Sequence, residues 1–316
     1  MDAPGTEWLS AHLFYRGGDR HAADEVLARV VRPFVGEARA RGWVGRWFFI
    51  RYSHLGMHLR LRLQGRPEVL DAAVRPALEA HVAAHLPGGL AGEPHESVAS
   101  FGHPSAVSPA LWWIPYEPET RRYGGPDGVR LAEEIFCHSS QAALALLECF
   151  EPGDTEARFG LALASMVVLL SSLTRDRSDA AEVARVHRLD WARAAGLDEV
   201  PDVRERFEAG YAQNAQMIEQ VEAIWTALDD GPDALPEPLD AYAAGTLSVA
   251  TRLRALQQAG GLDTGRGPIP DWTLALRALT PSYLHMMNNR MGVSPSEESY
   301  LAHLLARAFG APEEGA

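Results

Sequence analysis

Tyr52-Ser53-His54-Leu55-Gly56-Met57-His58-Leu59-Arg60-Leu61-Arg62 is the stretch whose reading decides the fold. Side chains alternate along a strand, so Leu59, Leu61 and Leu63 fall on one face and His58, Arg60 and Arg62 on the other. The preceding run, Arg46-Trp47-Phe48-Phe49-Ile50-Arg51-Tyr52, is rich in aromatic and β-branched residues and also reads as a strand. A four-residue loop over Ser53 to Gly56 closes the two into a hairpin. In that register Tyr52 opposes Met57, Ile50 opposes Leu59 and Phe48 opposes Leu61 on an apolar side. The other side pairs Arg51 with His58, Phe49 with Arg60 and Trp47 with Arg62. Such a guanidinium surface floored by rings suits an anion. The same pattern also serves as the solvated outer face of an antiparallel sheet.

Around this hairpin the chain reads as α+β. Trp8 to Tyr15 is a first strand, Asp19 to Arg41 a helix, and Pro67 opens a second helix to about Leu86. Leu86 to Pro104 reads as a loop, and Ala110 to Tyr116 as a strand kept to a sheet edge by Pro115. After Tyr123-Gly124-Gly125-Pro126 the periodicity becomes helical, over about 127–150, 155–175, 178–195, 203–228, 240–258, 271–291 and 296–309. Pro152-Gly153, Gly231-Pro232, Gly260-Gly261 and Gly292 punctuate it. The expected organisation is one domain over 1–316, with an α+β portion at 1–125 and a mainly helical portion at 126–316.

Composition excludes much. All 29 basic residues are arginine, so Schiff-base, pyridoxal-phosphate, P-loop and kinase lysine chemistries are absent. A formal net charge of −13 argues against direct nucleic-acid binding. Cys137 and Cys149 fit no zinc or redox spacing and read as reduced thiols. The N-terminus lacks the apolar core of a signal peptide, and the apolar run Leu161 to Leu173 holds three serines and is too short to span a bilayer. A cytoplasmic protein without a membrane partner is the expectation.

Beyond the ladder, Tyr116-Glu117-Pro118-Glu119-Thr120-Arg121-Arg122-Tyr123-Gly124-Gly125 leads from a strand to a helix N-terminus. Glycine there permits close backbone approach and the helix start favours an anion; an ordinary connecting loop has the same look. Tyr283-Leu284-His285-Met286-Met287-Asn288-Asn289-Arg290 places His285, Asn288 and Asn289 on one helical face, fitting either a lined cleft or a satisfied structural histidine. His81 and His85 have the i, i+4 spacing of metal ligands but lack a third ligand, so no metal is expected. Gly102-His103-Pro104-Ser105-Ala106 is not a nucleophile elbow, and no dinucleotide fingerprint occurs.

Three segments taken in order resemble the C-terminal elimination domain of lantibiotic dehydratases. They are Phe49 to Arg62 with Gly56, His58, Arg60 and Arg62; Tyr116 to Gly125 with Pro118, Glu119, Arg122, Tyr123 and the two glycines; and Leu284 to Gly292 with His285, Asn289 and Arg290. The likeness runs from Trp8 to Phe309 without a glutamylation domain, which looks like the stand-alone small subunit of thiopeptide pathways. It implies a lyase that needs no cofactor and removes glutamate from glutamylated Ser or Thr of a ribosomal precursor peptide, giving dehydroalanine or dehydrobutyrine. The implied catalytic residues are Arg60, Arg62, Arg122 and His285, with His58, Trp47, Tyr123 and Asn289 holding substrate. The implied partners are the modified precursor peptide and a separate glutamylating dehydratase subunit, and a homodimer is compatible with them. Met287 stands where the family often has a second histidine, and His138-Ser139 where it tends to show an acidic residue beside serine. Two other readings remain: a pyridine-forming [4+2] cycloaddition enzyme of thiopeptide biosynthesis, which tends to lose these arginines, and a non-catalytic peptide-binding subunit.

Overall fold

The computed structural model describes residues 5–54, 56–86, 105–174 and 176–311. The chain falls into two compact units, Met1–Pro118 and Glu119–Ala316. The expected loop from Leu86 to Pro104, beyond Leu86 itself, and the start of the Gly102 to Ala106 segment lie outside the described residues.

The N-terminal unit is an antiparallel sheet of five strands: β1 (Glu7–Phe14), β2 (Arg46–Tyr52), β3 (His58–Gly65), β4 (Ser105–Ser108) and β5 (Leu111–Trp113). Their order is β2-β3-β1-β5-β4, so β3 and β1 are central. Leu59, Leu61 and Leu63 of β3 are fully buried, as are Ala11 and Leu13 of β1. Each such leucine contributes about 1.5–3 kcal/mol through burial. Two helical stretches, 20–40 and 67–85, lie on this face. Arg51 reaches the first, bonding Asp24 at 2.6 Å, and the Trp113 indole donates to Glu79 of the second at 3.0 Å.

Both stretches contain a π turn, Leu27–Val31 and Leu70–Val74, just before Pro33 and Pro76. Proline has no N–H for the α ladder and crowds the carbonyl four residues back; the wider turn accommodates both effects without ending the helix. Strand β5 is interior rather than an edge, because it stops at Trp113 before Pro115 and pairs with the unforeseen β4.

The C-terminal unit is helical, with long helices Gly125–Leu146, Thr155–Thr174, Arg177–Ala194, Val203–Gln213, Ala215–Asp230, Leu239–Gln258, Trp272–Met291 and Pro295–Ala308. Thr155–Thr174 is apolar on nearly every side and packs against its neighbours Ala215–Asp230, Leu239–Gln258 and Trp272–Met291, as expected of a core helix. Among the described residues it is the one helix long and apolar enough to cross a membrane, and 72% of its most apolar window is buried. The run expected to be one helix over 203–228 breaks at Asn214, whose amide donates to the Gly210 carbonyl at 2.7 Å and to the Tyr300 hydroxyl at 3.0 Å. Ends follow local chemistry: Asp271 caps one helix, Ser294 and Glu297 form a capping box on the last, and Gly292 closes the helix before it with φ +71°.

Candidate functional site

The hairpin register differs by one residue from the expected one. Tyr52 opposes His58, Ile50 opposes Arg60 and Phe48 opposes Arg62. The loop holds five residues rather than four, because the Met57 carbonyl accepts a bond from Tyr15 N while Gly56 N closes a turn onto Ser53 O. A one-residue slip moves every side chain of a strand to the other face. Trp47 therefore lies opposite Leu63, 3% exposed on the apolar face, and does not flank Arg62. Phe49 sits against Leu61, and Arg51 against Leu59, where Asp24 pairs with it.

The polar face carries a cationic ladder walled by other rings. Arg60 lies over the Tyr52 ring at 3.4 Å and Arg62 over the Tyr116 ring at 5.2 Å. Trp8, Phe48 and Tyr116 form a mutual edge-to-face cluster beside them. Strand β1 adds His12 opposite Arg60 and Phe14 opposite His58. His12 stacks on His58 with centroids 5.0 Å apart, and its Nε2 lies 3.5 Å from an Arg62 terminal nitrogen. His12 was not anticipated. It sits at an alternating position of a strand legible in the sequence, but only the β1–β3 pairing brings it to the arginines.

Arg62 is 5% exposed, and its Nε and Nη1 find no hydrogen-bond partner among the described residues. Burial, reinforced by the charge of Arg60 and partly offset by Tyr116, lowers its pKa to about 9. No carboxylate is among those influences. A buried guanidinium with open donors is suited to a carboxylate or phosphate ligand, which it grips through two parallel N–H groups. Burial also lowers His58 to about 4, opposed by its bond to the Gly56 carbonyl, and drives His12 lower still. Both imidazoles are thus neutral near pH 7.

This has a consequence for stability. The unfolded chain takes up these protons from about pH 6.5 downward, whereas folded His58 does so only near pH 4. Their contribution is complete above pH 6.5 and falls on acidification towards pH 4, by about 1.4 kcal/mol per pH unit for each histidine. Denaturant unfolding at pH 7 and pH 5 is expected to show that loss, with a shallower slope in His58→Phe.

In the C-terminal unit the Gly-Gly segment makes a tight turn. Gly124 and Gly125 have φ of +83° and +93°, a region open to glycine. Gly125 N is taken by the Thr120 carbonyl at 2.7 Å, and a Cβ at Gly128 would collide with the Tyr123 carbonyl. The turn presents Arg122, whose Nε donates to Ser282 Oγ at 3.0 Å and whose Nη1 donates to Glu119 at 3.2 Å. Tyr123 is buried, stacked on Tyr283 at 5.6 Å, and burial raises its pKa to about 12.

Ser282 and Tyr283 belong to the helix Trp272–Met291, which also carries His285 and half-buried Asn289. Arg122 is therefore tied to this helix at a residue three positions before His285, on the same face. His285 Nδ1 lies 3.0 Å from Glu298 Oε2, and its ring stacks on Trp191 at 4.0 Å. The other carboxylate oxygen, Oε1, lies 2.8 Å from Nε2 of fully buried His187. Burial pushes the Glu298 carboxyl up, but His187 and His285 outweigh this and hold it at about 2. A carboxylate on Nδ1 fixes the tautomer and leaves Nε2 to accept a proton.

Glu298, His187 and Trp191 were also unforeseen. Glu297 and Glu298 look alike as acids in a first helical turn, yet only Glu297 caps the helix while Glu298 turns inward. Asn288 and Arg290 are buried structural residues; Arg290 bonds Ser140 Oγ and the Met286 carbonyl at 2.8 and 2.6 Å. The expected site residues thus form two groups: His58, Arg60 and Arg62 on the sheet, and Arg122, Tyr123, His285 and Asn289 around one helix. His81 and His85 bond to the carbonyls of Val30 and His81.

The family model described as lantibiotic biosynthesis dehydratase C-term matches residues 8–309. No curated protein matches by sequence. Among solved structures, TsrL superposes with a TM-score of 0.65 at 17% identity, over 96% of this chain and 94% of that one. The pyridine synthase TbtD from thiomuracin biosynthesis gives 0.68 at 22% identity, over 95% and 97%. The tRNA-dependent lantibiotic dehydratase MibB from Microbispora sp. 107891 gives 0.63 at 22% identity, over 98% of this chain but 28% of that one. At these identities the likeness is one of fold, and the match across both units is what decides membership: the chain belongs to the lantibiotic biosynthesis dehydratase C-terminal family.

Proposed function

We propose that this protein eliminates glutamate from glutamylated Ser or Thr residues of a ribosomal precursor peptide, leaving dehydroalanine or dehydrobutyrine. The observation that carries the reading is Arg62: a buried guanidinium whose Nε and Nη1 have no hydrogen-bond partner, and which no carboxylate influences, among the described residues. A glutamyl ester brings an anion to such a group, and its elimination creates another. In the step, a base removes the Cα proton, the electron pair forms the Cα–Cβ double bond, and the Cβ–O bond breaks to release a glutamate carboxylate. That leaving group needs little proton donation. The requirements are a base and fixed positive charge where negative charge develops. Arg60, Arg62 and Arg122 supply the charge, and His285 Nε2 takes the proton while Glu298 holds the ring. Neutral His58 orders Arg60, whose Nε donates to it at 3.4 Å; half-buried Asn289 lines the substrate's path, and buried Tyr123 backs Arg122, whose guanidinium lies 5.9 Å from its ring. The reaction uses no cofactor, and its partners are the modified peptide and a glutamylating subunit in the cytoplasm.

Incubating purified protein with a pre-glutamylated peptide, with no glutamylating partner present, tests this by mass. Loss of glutamate supports it; stoichiometric binding without product contradicts it. A second reading, pyridine-forming cycloaddition, is favoured by the near-complete coverage of TbtD. Release of leader peptide from an already dehydrated substrate, without glutamate loss from the ester, would select it. Glu298→Gln bears on the base itself. An amide donating to Nδ1 favours the wrong tautomer, so the rate is expected to fall about a hundred-fold or more, with peptide binding unchanged.

A further inference from the structure

Two helices frame His285. Arg177–Ala194 supplies His187 and Trp191, one turn apart on the same face, and Pro295–Ala308 supplies Glu298. His187 takes no part in the elimination step, and it is buried too deeply to reach a peptide. Among the described residues neither of its ring nitrogens makes a well-aligned hydrogen bond, and its one polar contact is the 2.8 Å approach of Nε2 to Glu298 Oε1. Its ring meets Trp191 edge-on at 6.2 Å, while Trp191 stacks on His285 at 4.0 Å.

Burying a polar ring costs free energy that an apolar side chain of the same size does not incur. A ring nitrogen and a carboxylate oxygen 2.8 Å apart, both bearing lone pairs, repel each other, so this approach requires a proton on Nε2. The carboxylate it meets is itself fully buried, and its other oxygen contacts only His285 among the described residues. Burial disfavours the charged form of a carboxyl group, so without His187 Glu298 takes up a proton. It then donates to His285 Nδ1 instead of accepting from it, and His285 carries its own proton on Nε2, where no further proton can be taken. We propose that His187 is a positioning residue for the base: through Nε2–H it fixes the Glu298 carboxylate against His285 Nδ1, so that His285 presents a bare Nε2. Its effect on rate rests on the elimination reading, with His285 as base; its effect on the tautomer does not.

Nitrogen chemical shifts of the full chain labelled with 15N-histidine, with His285 assigned from the spectrum of His285→Ala, test this without substrate. The parent is expected to show His285 protonated on Nδ1 and bare on Nε2. His187→Leu is expected to reverse the two, and to lower kcat on a pre-glutamylated peptide about a hundred-fold or more with KM little changed. His187→Gln, whose amide reaches about as far as Nε2, should restore the parent tautomer and most of the rate, which a packing role alone would not. If His187→Leu misfolds, His187→Asn serves, because its amide stops short of Glu298 and the same reversal is expected. An unchanged His285 tautomer in the folded Leu or Asn variant, or a Gln variant no better than Leu, would overturn the proposal. Tautomer reversal in a protein whose parent eliminates no glutamate would support the role of His187 and overturn the elimination reading alone.

Discussion

Arg62→Leu is expected to stop elimination while leaving the fold as stable as the parent, or more so. The guanidinium is buried among Tyr116, His12 and Arg60, with two of its nitrogens lacking a hydrogen-bond partner among the described residues and its pKa depressed to about 9. An uncompensated buried charge costs folding energy, so an apolar side chain of similar reach removes a penalty of about 1–3 kcal/mol. Catalysis runs the other way. Removing a preorganised donor from developing negative charge typically costs about a hundred- to a thousand-fold in rate. Paired thermal unfolding and turnover of a pre-glutamylated peptide read both effects. A variant that loses activity only because it unfolds would show Arg62 to be structural.

His285→Ala is expected to lower the elimination rate by about 10²–10⁴-fold, the range for loss of a positioned general base, with little change in Tm. The imidazole is partly exposed at 22% and is held from behind by Glu298 and at its side by Trp191. Its removal leaves the buried carboxylate with His187 as partner. Glutamylated peptide should then accumulate in a coupled assay, seen by mass as uneliminated ester. Full dehydration by His285→Ala would move the base to another residue.

The alternation of His58, Arg60 and Arg62 against the leucines was open to sequence reading, since a period of two is a strong signal wherever one face is buried. The hairpin's register was not, because it hangs on a backbone bond between Met57 and Tyr15 that no local pattern encodes. That one residue exchanged Trp47 and Phe49 for Tyr52 and Phe48 as neighbours of the arginines. His285 and Arg122 stood out as polar residues in apolar or glycine-rich settings, and the helices stopped close to where proline, glycine and capping residues said they would. What escaped were groups defined only by tertiary packing. His12 reaches the ladder through a strand pairing 50 residues away from Arg62 in sequence. Glu298 is distinguished from Glu297 only by the helix face that meets His187. Asn214 broke a run that periodicity alone joins, through a bond to Tyr300.

We propose that the sheet-borne arginines and the helix-borne histidine act on the same glutamyl group. A double-mutant cycle on kcat/KM for a pre-glutamylated peptide, with Arg62→Leu, His285→Ala and the double variant, tests it most directly. Residues that act as a unit are strongly non-additive. The double variant should therefore be about as slow as the slower single variant. Rate losses that simply multiply would mean the two side chains serve separate sites, and would contradict the account.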